Sequence, residues 1–311
     1  MQRHPRQFFA SLTMAAIAGV LGASAGARLP IISQPSQLAQ SYTDIIANTL
    51  YRHYQLKYPA PVMTTGLSIQ QATRLQVDLI GRLSPELGPI VGFKAALTSP
   101  EAQAQIGVNH PLYGYLLEEM LLESGDSVSL GFGARPMAEA DLMVRVGSEA
   151  INSATTDAEL LASLDAVIPF MELPDLVYRA GAAIDGTALI AVNVGARYGV
   201  MGEPIALTPT DAWMTRLGNI RAHLFNDAGQ TVATGESSQL LGHPIQVVRW
   251  LRDSLAAQGT ELRAGDLLSL GSMSALVPVE AGRMGVRYFG LAPNLPPGRS
   301  LDIFINLEPP E

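Results

Sequence analysis

From about Val128 onward, Gly, Pro and Asp cut the chain into short apolar runs, among them D-L-L-S-L-G, M-G-V-R-Y-F and L-D-I-F-I-N-L. Runs of this length bounded by turn residues read as strands, and N-I-R-A-H-L-F-N-D-A-G-Q-T-V-A-T reads as a hairpin. Two helices interrupt them. One follows Thr156, boxed with Glu159, and the other runs from about Pro244 to Gln258, where Gly259 stops it. The alternation predicts a curved, partly closed sheet or sandwich with helices at its periphery. The preceding part reads as mostly helical. Leu38, Tyr42, Ile45, Ile46 and Leu50 form a helical stripe, and Ser68 with Gln71 boxes a second helix whose buried face is Ile69, Ala72, Leu75, Leu79 and Leu83. V-G-F-K-A-A-L-T is a strand, and Ser99-Pro100 opens a short helix ending at Gly107.

The chain has 311 residues, 48% of them hydrophobic, enough for a substantial core. Residues 1 to 27 carry Arg3 and Arg6, an uncharged apolar run and A-S-A-G-A, the pattern of a signal peptide. The expectation is an exported protein, periplasmic or secreted, with no stable membrane insertion once the leader is removed. An uncleaved N-terminal anchor is the alternative. A linker and the first helix are expected over 28 to 66, and a single further domain over 67 to 311, helical to about 127 and built of strands over 128 to 311. There is no cysteine, which excludes disulfides, a thiolate nucleophile and Cys-based zinc sites. The formal charge is −8, and removing the leader takes two more positive charges, so nucleic acid is not an expected partner.

Only 15% of residues are charged, so acids inside strand-like runs need a reason. Glu139 and Asp141 in P-M-A-E-A-D-L-M-V stand at i and i+2 and face the same side of a strand. Glu172 ends the apolar run D-A-V-I-P-F-M-E and can join them only through the fold. Clustered carboxylates raise one another's pKa unless a cation compensates, and oxygen donors suit a hard divalent ion such as Mg²⁺. The alternative is three strand-end acids facing water or pairing with Arg135 and Arg145. Lys94, one of two lysines beside Lys57, lies in apolar G-F-K-A-A-L-T-S and must meet an anion or water. It either moves a proton or holds a substrate carboxylate, or it makes a structural salt bridge. Asn193 reads as a buried side chain bonding backbone, with substrate contact as the alternative. Asp175 reads as a turn residue and His243 as a helix cap. The loop G-S-M-S-A-L-V-P-V-E-A-G offers N–H and hydroxyl donors to a ligand carboxylate, with Ser272 and Ser274 as binders rather than nucleophiles.

Taken in order, G-F-K-A-A-L-T-S, G-V-N-H-P-L-Y-G-Y-L-L-E-E-M, A-E-A-D, F-M-E-L-P-D, L-L-G-H-P-I-Q-V-V-R-W-L and the Gly271 loop resemble the 2-keto-4-pentenoate hydratase and 4-oxalocrotonate decarboxylase family of the fumarylacetoacetate hydrolase superfamily. The resemblance runs from about Leu67 to Leu307. It implies an α+β fold, a mixed β-sandwich roll with an N-terminal helical subdomain, and a homo-oligomer. It further implies Mg²⁺ or Mn²⁺ on Glu139, Asp141 and Glu172, with Asp141 replacing the usual Glu. Lys94 then assists ketonisation, and Thr98, Asn193, Ser272 and Ser274 contact a short 2-oxo acid. The implied activity is hydro-lyase addition of water to a 2-hydroxy-2,4-dienoate. Two alternatives are decarboxylation of an oxalocrotonate-type substrate and a periplasmic binding protein without turnover. Leu112 stands where hydratases carry an acid, which is decarboxylase-like, whereas P-V-E-A-G is hydratase-like.

Overall fold

The computed structural model describes residues 37–310. The leader reading therefore falls outside the described residues, as does the side chain of Leu38. Among the described residues two helices come first, α1 (Gln37–Leu56) and α2 (Ile69–Leu87). Ser68 and Gln71 exchange the two hydrogen bonds of a capping box at the start of α2. Then follow β1 (Ile90–Ala96), α3 (Pro100–Ile106), β2 (Leu112–Leu117), β3 (Leu121–Glu123), β4 (Ser127–Ser129) and β5 (Met137–Val146). Next come α4 (Asp157–Ala162), which carries the Thr156–Glu159 box, β6 (Leu164–Leu173), α5 (Gly186–Ala191), β7 (Tyr198–Met201) and β8 (Ile205–Ala206). The chain continues through α6 (Asp211–Leu217), β9 (Arg221–Phe225), β10 (Thr231–Glu236), α7 (Pro244–Ala256), β11 (Leu267–Ser272), β12 (Val277–Pro278), β13 (Gly282–Phe289) and β14 (Ser300–Glu308). His243 caps α7 as its sequence position suggests, its Nδ1 accepting from Ile245 N at 3.1 Å. Among the described residues no helix is long and apolar enough to cross a membrane.

The strands form two sheets. The larger runs β2-β1-β11-β5-β6-β7-β3, with β12 and β8 as short additions on β5 and β6, and the smaller runs β10-β9-β13-β14-β4. β2 and β3 lie at opposite edges of the large sheet although only Glu118–Met120 separates them. A few residues span at most about 3.5 Å each, so the sheet must curl until its edges approach. The interior confirms the roll: Leu116 of one edge packs with Met143, Ile168 and Phe170 of the centre and with Leu121 and Met201 near the other edge. The opposite face of the large sheet contributes Ala140, Leu142, Val144 and Val167 to the main core. That core is shared with Leu224, Val286 and Ile305 of the second sheet and Val248 and Leu251 of α7.

Two expectations need correction. The stripe on α1 is rotated: Thr43, Ile46, Ala47 and Leu50 are buried, whereas Tyr42 and Ile45 are exposed. Ile69 at the start of α2 is exposed as well. A boundary near residue 127 does not separate helices from sheet either, because β1, β2 and β3 are integral strands of the roll.

Candidate metal centre

Strand pairing supplies what sequence spacing cannot. β5 and β6 run antiparallel with Glu139 directly opposite Glu172 and Asp141 opposite Phe170. Directly opposed residues share a face, as do i and i+2, so all three acids point into one end of the roll. One carboxylate oxygen from each lies within 4.8 Å of the others, and all three residues are buried. β1 pairs with β11 with Lys94 opposite Ser269, and Ser272 lies opposite Asp141 across β11 and β5. Lys94 is only 2% exposed. Its Nζ donates to Glu172 Oε1 and, at 3.2 Å, to the Val194 carbonyl. Arg135 and Arg145 do not reach the trio: the first bonds Tyr178 O and the second pairs with Asp165.

Asp141 is pinned by two donors, Ser269 Oγ at 2.7 Å on Oδ2 and its neighbour's Leu142 N at 2.5 Å on Oδ1. Glu139 Oε2 and Glu172 Oε2 are buried with no hydrogen-bond partner. One ammonium therefore faces three acids. Burial, then the Glu172 charge, pushes the Glu139 carboxyl well above the usual range, against the pull of Lys94. Burial and Glu172 likewise raise Asp141 to about 8, although Ser269 and the Leu142 N–H favour its charged form. Carboxylate oxygens left without partners in a buried site whose metal donors would all be oxygens fit a hard divalent cation.

These shifts predict a pH dependence. The pKa of Asp141 in the folded chain exceeds its unfolded value of about 3.9, so the folded state binds the proton more tightly. Its contribution to stability is complete below pH ~4 and is lost as pH rises toward about 8. The metal-free protein should melt at falling temperature across that window. Saturating Mg²⁺ should give an increment in melting temperature that grows with pH. Melts with EDTA and with Mg²⁺ check this, and an increment independent of pH contradicts it.

Tyr288, reaching from β13, braces the rung. Its hydroxyl lies 2.7 Å from Asp141 O and 2.6 Å from Phe170 O, and it accepts from Phe170 N at 3.1 Å. Tyr288→Phe should cost about 1–3 kcal/mol because buried backbone groups lose their partner. Urea denaturation measures this, and a loss below about 0.5 kcal/mol refutes the brace.

The remaining sequence candidates fall in different places. Ser272 Oγ donates to Ser274 O at 2.7 Å, and Ser274 Oγ accepts from Ala140 N at 3.0 Å, so both sit half-buried at the end of β11, against the strand that carries Glu139 and Asp141. Thr98 is buried, and its side chain occupies the space where a Cβ on Gly271 would lie. The Asn193 carboxamide is committed to β2: Oδ1 accepts from Tyr115 N at 2.8 Å and from Gln76 Nε2 at 3.3 Å, and Nδ2 donates to Tyr115 O at 2.9 Å. Of its two readings, the backbone one is what the structure displays. Asp175 is more than a turn residue. It is buried and accepts from Ala134 N and Arg135 N, fixing the approach to β5. Ser269 was missed, although a hydroxyl between Leu268 and Leu270 in a buried strand is the same kind of signal as Lys94. Tyr288 carried no signal, since an aromatic in a strand is ordinary.

No family model matches the chain. Curated relatives do. A 4-oxalocrotonate decarboxylase of Pseudomonas putida is 29% identical over 227 residues, covering 72% of this chain and 83% of that protein. A 2-keto-4-pentenoate hydratase of Paraburkholderia xenovorans (strain LB400) is 28% identical over 241 residues, covering 76% and 87%. The solved structure of 4-oxalocrotonate decarboxylase from Pseudomonas putida G7, complexed with magnesium and adipate, matches with a TM-score of 0.73 at 23% identity, over 89% of this chain and all of that one. The motif resemblance thus has sequence relatives behind it, and the α+β roll is a fold shared with a solved structure.

Proposed function

We propose that this chain is a metal-dependent hydro-lyase that adds water to a short 2-hydroxy-2,4-dienoate or 2-oxo-alkenoate. The observation that carries the reading is the buried carboxylate trio with Lys94 in contact with one member. Relatives named 2-keto-4-pentenoate hydratase and 2-hydroxyhexa-2,4-dienoate hydratase support it. Glu139, Asp141 and Glu172 would hold Mg²⁺ or Mn²⁺, which supplies charge stabilisation for the enolate of a bound 2-oxo acid. An Asp at 141 is one methylene shorter than a Glu but still offers carboxylate oxygens.

The chain's own groups divide the remaining work. The Lys94 ammonium has three N–H donors, of which two are directed at Glu172 and Val194 O. The third can hold or deliver a proton as the dienol becomes the ketone. The half-buried Ser272 and Ser274 hydroxyls would receive the substrate carboxylate beside Glu139 and Asp141, turning from the Ser274 and Ala275 carbonyls to which they donate. Gly114 leaves room opposite Lys94, because a Cβ there would lie 2.8 Å from Asn193 O and 3.2 Å from Lys94 Cγ.

The test is loss of the ultraviolet chromophore of 2-hydroxypenta-2,4-dienoate with Mg²⁺ or Mn²⁺, with recovery of a product that has gained one water. A dienoate left unchanged with either ion defeats the reading. Leu112 favours a second one. It shares the Lys94 face of the sheet and is buried with Ala72, Ile190 and Val194, so an apolar wall stands where a hydratase of this type carries an acid. Carbon dioxide release from an oxalocrotonate-type dicarboxylate, without hydrated product, would assign decarboxylation instead.

A further inference from the structure

Three successive residues beside the site, Asn193, Val194 and Gly195, have φ of 54°, 53° and 71°. L-residues visit the left-handed region singly, and a β-branched residue there is an outlier, so a left-handed turn through Val194 persists only where its surroundings enforce it. They do so from three sides. The Asn193 carboxamide bonds both backbone groups of Tyr115 on β2. Gly195 O accepts from Asp175 N at 2.9 Å. Arg197, two residues on, is buried, donates from Nη1 to Tyr54 O at 2.8 Å in the last turn of α1, and stacks 3.8 Å from the Tyr54 ring centre. The product of this bracing is a buried acceptor turned toward the lysine: the Val194 carbonyl, 3.2 Å from Lys94 Nζ.

Lys94 Nζ and a divalent cation compete for the same carboxylate, Glu172. An ammonium whose sole acceptor were Glu172 would resist giving it up, because a buried cation without a partner is costly. We propose that the turn Asn193–Gly195 is a second seat for the Lys94 ammonium, holding it through the Val194 carbonyl so that Glu172 is released to ligate the cation. Asn193 is then a positioning residue that acts through Lys94. The inference rests on the reading of the trio as a cation site, not on any particular reaction.

A double-mutant cycle on the full chain tests it, with Mn²⁺ alone as probe, calorimetry as readout and circular dichroism to verify folding. Asn193→Gly keeps the left-handed backbone accessible but removes the tether to β2. It should weaken Mn²⁺ binding about tenfold, whereas in a Lys94→Met background it should change binding less than twofold, because partners acting through one group are not additive. Gly195→Ala, whose new Cβ would lie 3.0 Å from Asp175 O, should repeat the pattern should the first variant misfold. Equal weakening with and without Lys94 would make the turn a scaffold only and overturn the proposal, as would unchanged affinity in both turn variants. A wild-type chain that binds Mn²⁺ but leaves the dienoate intact would defeat the hydratase reading and leave this cycle standing.

Discussion

Glu172→Ala is expected to abolish Mn²⁺ binding and to lower dienoate turnover at least about 10³-fold: charge stabilisation of about 4 kcal/mol lost from the enolate corresponds to that factor. The magnitude follows from where Glu172 stands. It lies directly opposite Glu139 in the ladder, and its carboxylate touches Lys94. Removing it takes one of three oxygen donors away and leaves the buried ammonium with the Val194 carbonyl as its remaining acceptor. Glu172→Gln preserves the volume and separates charge from packing: it should fold with near-native melting yet bind Mn²⁺ almost as poorly. Calorimetry and chromophore loss read the two effects, and wild-type turnover in Glu172→Ala would sink the metal-dependent reading.

Lys94→Met should move two measurements in opposite directions. Turnover falls about 10²- to 10⁴-fold, the range of a lost general acid or base. Mn²⁺ binding tightens, by about tenfold for each 1.4 kcal/mol of repulsion removed, because a buried positive charge no longer contests Glu172. A lysine that only made a structural ion pair would not give this split. Removing it would lower stability and leave the rate per folded molecule unchanged. Steady-state kinetics beside calorimetry on the same preparation distinguishes the two.

The carboxylate trio was legible because strand alternation puts Glu139 and Asp141 on one face and because charge is scarce in this chain. The register that sets Glu172 against Glu139 was not, since a pairing across 33 positions belongs to the fold and to no local pattern. On α1, the apolar letters place Tyr42 and Ile45 in the same stripe as Ile46 and Leu50. Only the packing of Ile46, Ala47 and Leu50 against Leu75, Tyr178 and Ala188 shows which of them are buried. The one strand read before residue 127, V-G-F-K-A-A-L-T, looked like an addition to a helical region because β11, one of the two partners of β1, lies far along the chain. The left-handed turn is only faintly written in the letters V-N-V-G-A, where Asn193 and Gly195 tolerate positive φ and Val194 between them does not.

The order of strands in the large sheet also dictates when the site can exist. Its acids and its lysine are synthesised between residues 94 and 172, yet β11, built from Leu267–Ser272, is the strand that lies between β1 and β5. Phe93 pairs with Leu268, 175 positions later. Closure over such a separation is slow, and a nascent chain that has exposed Lys94, Glu139, Asp141 and Glu172 still lacks the strand that spaces them. Any cation held by these acids would therefore be taken up late in biogenesis, only after β11 has been made and has paired.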